Sequence, residues 1–277
     1  MGQICSWFGI SRQAHYQLCR RQQHQVEQEQ DIVAQVQAIR QRHPRMGGRK
    51  VWHELQPELR RKGLEIGRDR FFELLARYDL LLPQPRQKRR TTWSGLWRCP
   101  NRLTDLTLCA VQQAWVCDIT YLETEQGFCY LALVTDAYSR FIVGFDVSTS
   151  LAVEGALRAL QMAIAQATAP LKGLIHHSDH GIQYTCHAYR DHLAQANILS
   201  SMGEVGNCYD NALAERVNGI LKLEYGLDGL FVDPAQALAA TTQAIWLYNH
   251  ERPHLSLDYL KPVDVHLNTS HNLSSNR

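Results

Sequence analysis

Hydrophobic and polar positions change period along this 277-residue chain. Before the first proline the apolar positions recur every three or four residues, which is typical of helices. Residues 6–20 predict a short helix, a turn and a second helix, and residues 25–42 predict a further amphipathic helix. Pro44 interrupts this pattern. We interpret residues 1–44 as an N-terminal helical segment.

Residues 45–82 predict two or three short helices around a glycine turn. Val51 and Leu55 lie on one helical stripe, and Phe71 and Leu74 lie on the next. Short helices joined by a glycine turn and rich in arginine are typical of a helix-turn-helix DNA-binding domain. Small helical hairpins also serve as plain packing modules, which is the alternative.

Residues 105–265 have the pattern of an α/β domain. Three apolar segments with short connections predict an antiparallel meander, and helices then alternate with a further strand. The predicted strands cover 114–122, 128–136, 140–147 and 171–178, and the predicted helices cover 151–167 and 186–196. This order predicts a mixed sheet flanked by helices, preceded by a small all-α region. It is compatible with a ribonuclease-H-like layout, although it also fits other folds.

Residues 83–104 predict an extended basic linker between these two parts. Up to Arg98 the linker contains two prolines and five basic residues, among them Lys88, Arg89 and Arg90. A segment with charge of one sign can follow a phosphate backbone. A solvated linker with nothing bound is the alternative.

Charge divides unevenly along the chain, although the formal net charge is only +2. Residues 1–100 contain 19 Lys and Arg against 9 Asp and Glu, whereas residues 101–277 contain 10 against 18. This predicts a basic part that meets a polyanion and an acidic part that holds cations. Two domains with unequal solvated faces are the alternative. Residues 266–277 are polar and predicted to be disordered.

The eight cysteines form no CxxC pair, and several lie in apolar runs. They therefore predict buried reduced thiols rather than disulfides. A zinc site of Cys5, His15, Cys19 and His24 is the alternative, but it lacks the short ligand spacing of structural zinc sites. No run of 18 apolar residues and no signal peptide is found, so we expect a cytoplasmic protein with access to DNA and no membrane.

Three acidic residues are candidates for a metal site. Asp118 lies within a predicted strand among apolar residues, where a cation or a distant arginine must compensate its charge. Asp179 follows a predicted strand, at the sheet edge where α/β proteins bind ligands. Glu215 lies on an amphipathic helix. The spacing leaves 60 residues between the first two acids and 35 between the second and third.

The helix that carries Glu215 has two predicted faces. Leu213 and Val217 belong to the apolar face, whereas Glu215, Asn218 and Lys222 lie on the opposite side. Such a helix suits a groove that holds metal and phosphate. An ordinary amphipathic surface helix is the alternative.

Carboxylate oxygens are the ligands that magnesium prefers. Two such ions about 4 Å apart promote in-line displacement at phosphorus without a side-chain nucleophile. No Ser/His/Asp or Cys/His arrangement and no P-loop stands out in the sequence. His176, His177 and His180 adjoin one strand end and cannot all face one ion. Asp136, at the end of the second strand, is the first substitute for any of the three acids.

Several stretches of the chain resemble one known family. These are WVCDITYLET, YLALVTDAYSRFIVGFDVS, HHSDHGIQYT, SSMGEVGNCYDNALAERVNGILKLE and YNHERPHLSLDYLKP. They resemble the integrase-type core of bacterial insertion-sequence transposases, in particular the second-frame product (OrfB) of the insertion-sequence-three family, related to retroviral integrases. The resemblance covers about residues 45–265. It implies a ribonuclease-H-like fold, magnesium or manganese dependence, strand cleavage by water and strand transfer by a DNA 3′-hydroxyl.

The resemblance also implies roles for individual residues. Asp118, Asp179 and Glu215 match the catalytic and metal-binding acidic triad, and Lys222 matches a basic residue that touches terminal DNA. RMGGRKVWHELQ resembles the helix-turn-helix that precedes the core. The candidate DNA contacts are Lys222, Asn218, Arg49, Lys50, Arg68, Arg70, Lys88, Arg89 and Arg90.

Two features depart from the family pattern. Cys117 stands where a threonine is usual. The family's enzyme is commonly a frameshift fusion with an upstream DNA-binding and coiled-coil segment, and residues 1–44 are interpreted as the start of the second frame. The expected partners are therefore double-stranded DNA at element ends and target, further copies of this chain, and an upstream-frame segment. The alternative function is a DNA-binding or assembly subunit without independent catalysis.

Overall fold

The computed structural model of the chain describes residues 11–82, 97–104, 106–203 and 212–267. It divides into two compact units, Met1–Gln84 and Pro85–Arg277, and each is described by itself. Among the predicted DNA contacts, Lys88, Arg89 and Arg90 lie outside the described residues.

Three helices build the described part of the first unit: α1 (Arg12–Arg42), α2 (Gly48–Arg61) and α3 (Arg68–Arg77). The α1 helix begins after Ser11, whose Oγ accepts a hydrogen bond from the Ala14 N–H at 3.0 Å. The predicted division between residues 6–20 and residues 25–42 is wrong within the described part, because α1 is continuous there. Its polar middle contains no glycine or proline, and glutamine and arginine are good helix formers.

A small apolar core holds these helices together. Val36 of α1, Val51 of α2 and Phe71 of α3 are each fully buried in it. Gly63 adopts a φ of +67° in the turn between α2 and α3, which confirms the predicted helices around a glycine turn. Gly48 allows the close crossing of α2 and α3, since an added Cβ would lie 3.1 Å from side-chain atoms of α3.

The second unit is built on one six-stranded mixed sheet with the order β3-β2-β1-β4-β5, in which β6 pairs with β1. The β1–β2–β3 meander is antiparallel, and β4 runs parallel to β1 and β5. The strands are β1 (Ala114–Thr124), β2 (Gly127–Asp136), β3 (Ile142–Ser148), β4 (Ile175–Ser178), β5 (Leu199–Met202) and β6 (Leu230–Phe231). The meander and the mixed sheet are confirmed, whereas β5 and β6 were not predicted.

Helices cover both faces of this sheet. They are α4 (Val153–Ala165), α5 (Ile182–Thr185), α6 (His187–Gln195), α7 (Ala212–Tyr225), α8 (Pro234–His250) and α9 (Pro262–Leu267). One core cluster joins Trp115 of β1 to Leu160 of α4, and the other joins Leu133 of β2 to Leu221 of α7 and Tyr248 of α8. Two helical layers therefore flank the sheet, as the predicted fold class requires.

Residues 97–104, which the sequence assigned to the linker, pack against the sheet. The Arg102 backbone N–H donates to Ser201 Oγ at 2.8 Å, and the Arg190 guanidinium lies 4.8 Å from the centroid of the Trp97 ring. In the part of the chain that the structure describes, no helix is long and apolar enough to cross a membrane.

Candidate active site

Asp118 lies in the central strand β1 on the face that α7 covers. Side chains alternate along a strand, so Asp118 faces the same side as Val116, which packs against Ala214 of α7. Both carboxylate oxygens of Asp118 accept hydrogen bonds: Oδ1 from the Ile119 N–H at 2.9 Å, and Oδ2 from the Asn218 amide Nδ2 at 2.7 Å. A hydrogen bond therefore orients each of the two carboxylate oxygens.

Asp179 directly follows β4, as the sequence predicted. The parallel pairing of β4 with β1 places His177 opposite Val116, and continuing this register by two residues brings Asp179 beside Asp118. The Asp179 Oδ1 accepts a hydrogen bond from the Gly181 N–H at 2.9 Å. A Cβ on Gly181 would also lie 2.9 Å from that oxygen, so the glycine leaves room for this carboxylate orientation.

Glu215 lies in the first turn of α7 and is exposed. Val217 and Leu221 bury the opposite side of the helix, in agreement with the predicted apolar face. Asn218 differs from its predicted place, because it is only 5% exposed and contacts Asp118 instead of facing solvent. At 100° per residue, position 218 lies about 40° from the buried Ala214 and about 60° from Glu215, on the border between the two faces.

The electrostatic surroundings of Asp118 include both of the other carboxylates. Burial, then the charge of Asp179, and to a lesser extent the charge of Glu215 raise the pKa of Asp118 to about 7, whereas the hydrogen bonds from Asn218 and Ile119 lower it. Among the strongest influences on Asp118 from the described residues, none is a basic side chain. Negative charge therefore accumulates around Asp118, and none of these influences is a cationic side chain that would neutralise it.

The donor chemistry of this site fits a divalent cation. Within the described ranges no group of three His, Cys, Asp or Glu lies close enough to form a complete metal site. Magnesium, however, is commonly held by one or two carboxylates and takes its remaining ligands from water and substrate phosphate. Asp118 and Asp179 supply such a pair of hard oxygen donors, and the exposed Glu215 lies on the helix that packs above them.

A buried polar layer lies behind Asp118. The Cys117 Sγ and the Tyr189 hydroxyl each lie 2.9 Å from His176 Nε2. Burial lowers the pKa of His176 to about 3 and raises the pKa of the Cys117 thiol well above its ordinary value. Both groups are therefore neutral at physiological pH, and Cys117 is not an activated nucleophile.

The two other histidines of this segment also have separate surroundings. His177 Nδ1 lies 2.8 Å from Ser201 Oγ on β5, and His180 Nε2 lies 2.7 Å from the Gly203 carbonyl oxygen. The side chain of His176 in β4, by contrast, contacts the Tyr189 hydroxyl of α6 and Cys117 of β1. The three histidines thus do not converge on one point, which agrees with the sequence interpretation.

Asp136, the candidate substitute for one of the three acids, is fully buried at the end of β2, where the chain enters the turn. Its carboxylate accepts hydrogen bonds from the backbone N–H groups of Gln112, Tyr138 and Ser139 and from the Ser139 hydroxyl, at 2.7–3.1 Å. These donors explain the buried carboxylate as part of the turn, without a metal ion.

Comparison with known proteins places the chain in a family. Two integrase core domain models match residues 110–208 and 196–262. The 31 kDa protein of insertion element IS600 from Shigella sonnei is 35% identical over 267 residues, which cover 94% of this chain and 96% of the relative. The transposase for insertion sequence element IS629 from Shigella sonnei is 31% identical over 275 residues, with coverage of 96% and 90%. The chain belongs to the insertion-sequence transposases.

The fold of this transposase agrees with a solved integrase assembly. A chain in the cryo-EM structure of the simian T-cell lymphotropic virus intasome, in complex with PP2A regulatory subunit B56 gamma, matches with a TM-score of 0.50 at 17% identity. The match covers 84% of this chain and 74% of that chain. It confirms the ribonuclease-H-like fold class predicted from the sequence.

The candidate DNA contacts of the transposase lie in both units. Lys222 lies two turns after Glu215 on α7 and is partly exposed. In the first unit Arg49 and Arg70 are exposed, Lys50 is partly buried, and Arg68 is exposed and forms an ion pair with Asp69 at 2.8 Å.

Proposed function

We propose that this transposase cuts and joins DNA at insertion-sequence ends by divalent-metal-dependent phosphoryl transfer at Asp118, Asp179 and Glu215. The observation that supports this most directly is the parallel register of β4 on β1, which brings Asp179 beside Asp118 when it is continued by two residues. Burial, then the charge of Asp179 and to a lesser extent that of Glu215, raises the pKa of Asp118. Neighbouring carboxylates in a partly buried site require a proton or a cation to offset their repulsion. The transposase name of the IS629 relative supports the same chemistry.

Asp118 and Asp179 would hold the first magnesium or manganese ion, and Glu215 together with DNA phosphate would complete a second site. A divalent cation, when bound, supplies the positive charge that activates an attacking oxygen and stabilises the leaving oxygen at phosphorus. The protein contributes fixed carboxylates: the Ile119 and Gly181 N–H groups orient one oxygen of Asp118 and of Asp179, respectively.

The proposed reaction has two displacement steps at phosphorus. In the first, a water oxygen forms a bond to phosphorus, the bond from phosphorus to the 3′ oxygen breaks, and that oxygen takes up a proton. In the second, the new 3′-hydroxyl loses its proton and attacks a target phosphorus, and a 3′-hydroxyl is released on the target strand. The second step exchanges one phosphodiester bond for another and therefore needs no external energy source.

DNA contacts extend from the catalytic helix to the first unit in this proposal. Lys222 holds the terminal DNA beside Glu215, and Arg49 and Arg70 bind phosphates through the helix-turn-helix. The transposase acts in the cytoplasm as an oligomer on element ends and target DNA.

The test is product analysis on one labelled duplex that carries an end of the insertion sequence, with an unlabelled target plasmid. Asp118→Asn, Asp179→Asn and Glu215→Gln each remove one carboxylate charge with little change in shape. We expect each variant to lose both cleavage and strand transfer in magnesium and in manganese. Glu154→Gln is the matched control, because Glu154 is an exposed carboxylate on α4, and α4 belongs to a different core cluster from α7.

Each alternative gives a different result in the same assay. Unchanged activity in all three variants would refute the mechanism. Degradation of the labelled strand without joining would indicate a general nuclease on the same fold. Salt-sensitive DNA binding without metal-dependent turnover, even after fusion to an upstream-frame segment, would favour a DNA-binding or assembly subunit.

A further inference from the structure

Asn218 joins α7 to β1 by a side-chain hydrogen bond, in addition to the apolar contact between Ala214 and Val116. Its Nδ2 donates to Asp118 Oδ2 at 2.7 Å across 100 positions of sequence, from α7 to β1. The residue is 5% exposed. A hydrogen bond to a carboxylate is short and directional, so it fixes the position of the two atoms more narrowly than apolar contact does.

The bonding pattern of Asn218 differs from that of a structural asparagine in the same unit. Asn249 on α8 is 4% exposed and uses both ends of its amide, accepting from the Ile142 N–H at 2.9 Å and donating to the Ile142 carbonyl at 3.0 Å. The Oδ1 of Asn218 is buried and has no hydrogen-bond partner among the described residues. Among the described residues, the only hydrogen bond of the Asn218 side chain is the one it donates to Asp118.

The orientation of the Asn218 amide follows from the charge on its partner. If the amide were reversed, its oxygen would face the Asp118 oxygen at the same short distance, and two acceptors would repel each other. The ionised carboxylate therefore selects the orientation in which the amide donates. The bond in turn favours the ionised carboxylate, which is the form that binds a cation.

Asn218 and Glu215, the third acid, lie on the same helix, so the position of one constrains the position of the other. Glu215 precedes Asn218 by three residues, about 4.5 Å along α7 and on an adjacent face. Val217 and Leu221 anchor α7 by apolar contact, and the hydrophobic effect that drives such contact is not directional. The bond from Asn218 to Asp118 supplies the directional contact that specifies where Glu215 lies.

We propose that Asn218 is a positioning residue of the acidic site, which orients Asp118 and sets α7 so that Glu215 completes the metal site. This inference rests on the proposed function, because it assumes that Asp118 and Glu215 bind metal. It gives Asn218 a role inside the protein in place of the DNA contact expected from the sequence.

The test compares metal binding by the full chain without DNA. Asn218→Leu removes the donor at similar volume, and Asn218→Ala removes it with a smaller side chain in case leucine disturbs packing. For each variant, thermal unfolding is measured against manganese concentration, and the half-saturating concentration is taken from the rise in the unfolding midpoint. Far-UV circular dichroism checks the fold, and strand transfer gives a second half-saturating concentration.

We expect the half-saturating manganese concentration to rise about 10-fold or more in both Asn218 variants, as for other residues that orient metal ligands. Asp118→Asn combined with Asn218→Leu should bind no more weakly than Asp118→Asn alone, because Asn218 acts through Asp118. Asn249→Ala is the matched control. It should lower the unfolding midpoint without moving the half-saturating concentration.

Three results would overturn the inference. One is a wild-type half-saturating concentration in both Asn218 variants. Another is an equal loss of metal binding on Asn218→Leu in the wild-type and Asp118→Asn backgrounds. The third is unfolding of both Asn218 variants while Asn249→Ala stays folded, which would make Asn218 a structural residue. A wild-type chain with no metal response would instead overturn the proposed function, and this inference with it.

Discussion

Replacement of Asp118 by asparagine should stabilise the metal-free transposase, although it should abolish activity. The pKa of this carboxyl is raised from 3.8 to about 7, first by burial and then by the charge of Asp179. The folded chain therefore binds this proton more tightly than the unfolded chain does. Asparagine has a similar shape and no charge, so the variant folds without the unfavourable ionisation.

The sign and size of the effect follow from the two pKa values. Below about pH 4 the carboxyl is protonated in both states, so its charge has no effect on stability. Between about pH 4 and pH 7 only the unfolded chain ionises, so the free energy of unfolding falls as the pH rises. Above pH 7 the whole difference is present. Three pH units correspond to about 4 kcal/mol, and we expect about 1–3 kcal/mol because Asp118 is partly exposed and its surroundings relax.

Urea denaturation in EDTA at pH 5 and pH 8 measures this difference. Tryptophan fluorescence reports the larger unit through the fully buried Trp115, and its transition is analysed separately because the chain has two units. We expect Asp118→Asn to raise the free energy of unfolding by more at pH 8 than at pH 5. Magnesium should stabilise the wild-type chain more than it stabilises the variant.

Asp136→Asn is the matched control, because it changes the same side chain in the same sheet. Its carboxylate accepts four hydrogen bonds, and an amide at that position would turn one acceptor into a donor that faces the Gln112 N–H. This variant should lose about 1–3 kcal/mol of stability at pH 8. Equal or lower stability of Asp118→Asn at pH 8, or an equal gain at both pH values, would refute the reasoning.

Three further substitutions test separate parts of the structure. Gly181→Ala should leave stability unchanged, because the backbone φ of −55° accepts alanine. It should reduce strand transfer, because the new Cβ would lie 2.9 Å from the Asp179 oxygen. Thermal melts followed by circular dichroism measure the stability, and the strand-transfer assay measures the activity. Gly144→Ala should destabilise the chain by at least about 1–3 kcal/mol in urea, since its Cβ would lie 2.1 Å from a backbone oxygen of α4, and a wild-type midpoint would contradict this packing. Arg252→Met should cost about 3–5 kcal/mol in the same assay, because it leaves Glu224 without its two 2.8 Å bonds; a loss below about 1 kcal/mol would show that water replaces the arginine.

The positions of Asp118 and Asp179 in the fold could be predicted from the sequence, because the strand pattern determines where each of them lies. Asp118 follows the alternation of the central strand β1, and Asp179 directly follows β4, which pairs with β1 in parallel. Parallel register then brings the two together although 60 residues separate them. The role of Asn218 was missed because a helical wheel places it on the border of two faces. Only the packing of α7 on β1 decides which face it joins.

Other errors come from tertiary contacts that no local pattern encodes. The β5 strand has the sequence LSSM, which is too short and too polar to predict a strand, and it forms because β4 offers a parallel edge. The two-residue β6 forms in the same way against the end of β1. In the first unit, α1 continues through a polar stretch that the hydrophobic period alone could not connect.

The hydrogen bonds at Asp118 bear on the proposed metal site, because neither of them comes from a basic side chain that would compete with a metal ion. Its two hydrogen-bond donors among the described residues, a backbone N–H and an asparagine amide, are both neutral. Neutral donors orient a carboxylate and favour its ionised form, but they leave its negative charge available to a cation. An arginine in the place of Asn218 would hold the carboxylate equally well and would cancel the charge that attracts the metal. The uncompensated charge also lowers the stability of the metal-free chain, and Asp118→Asn should restore that stability. The preference for a neutral asparagine at position 218 and the unfavourable ionisation of Asp118 therefore have the same origin.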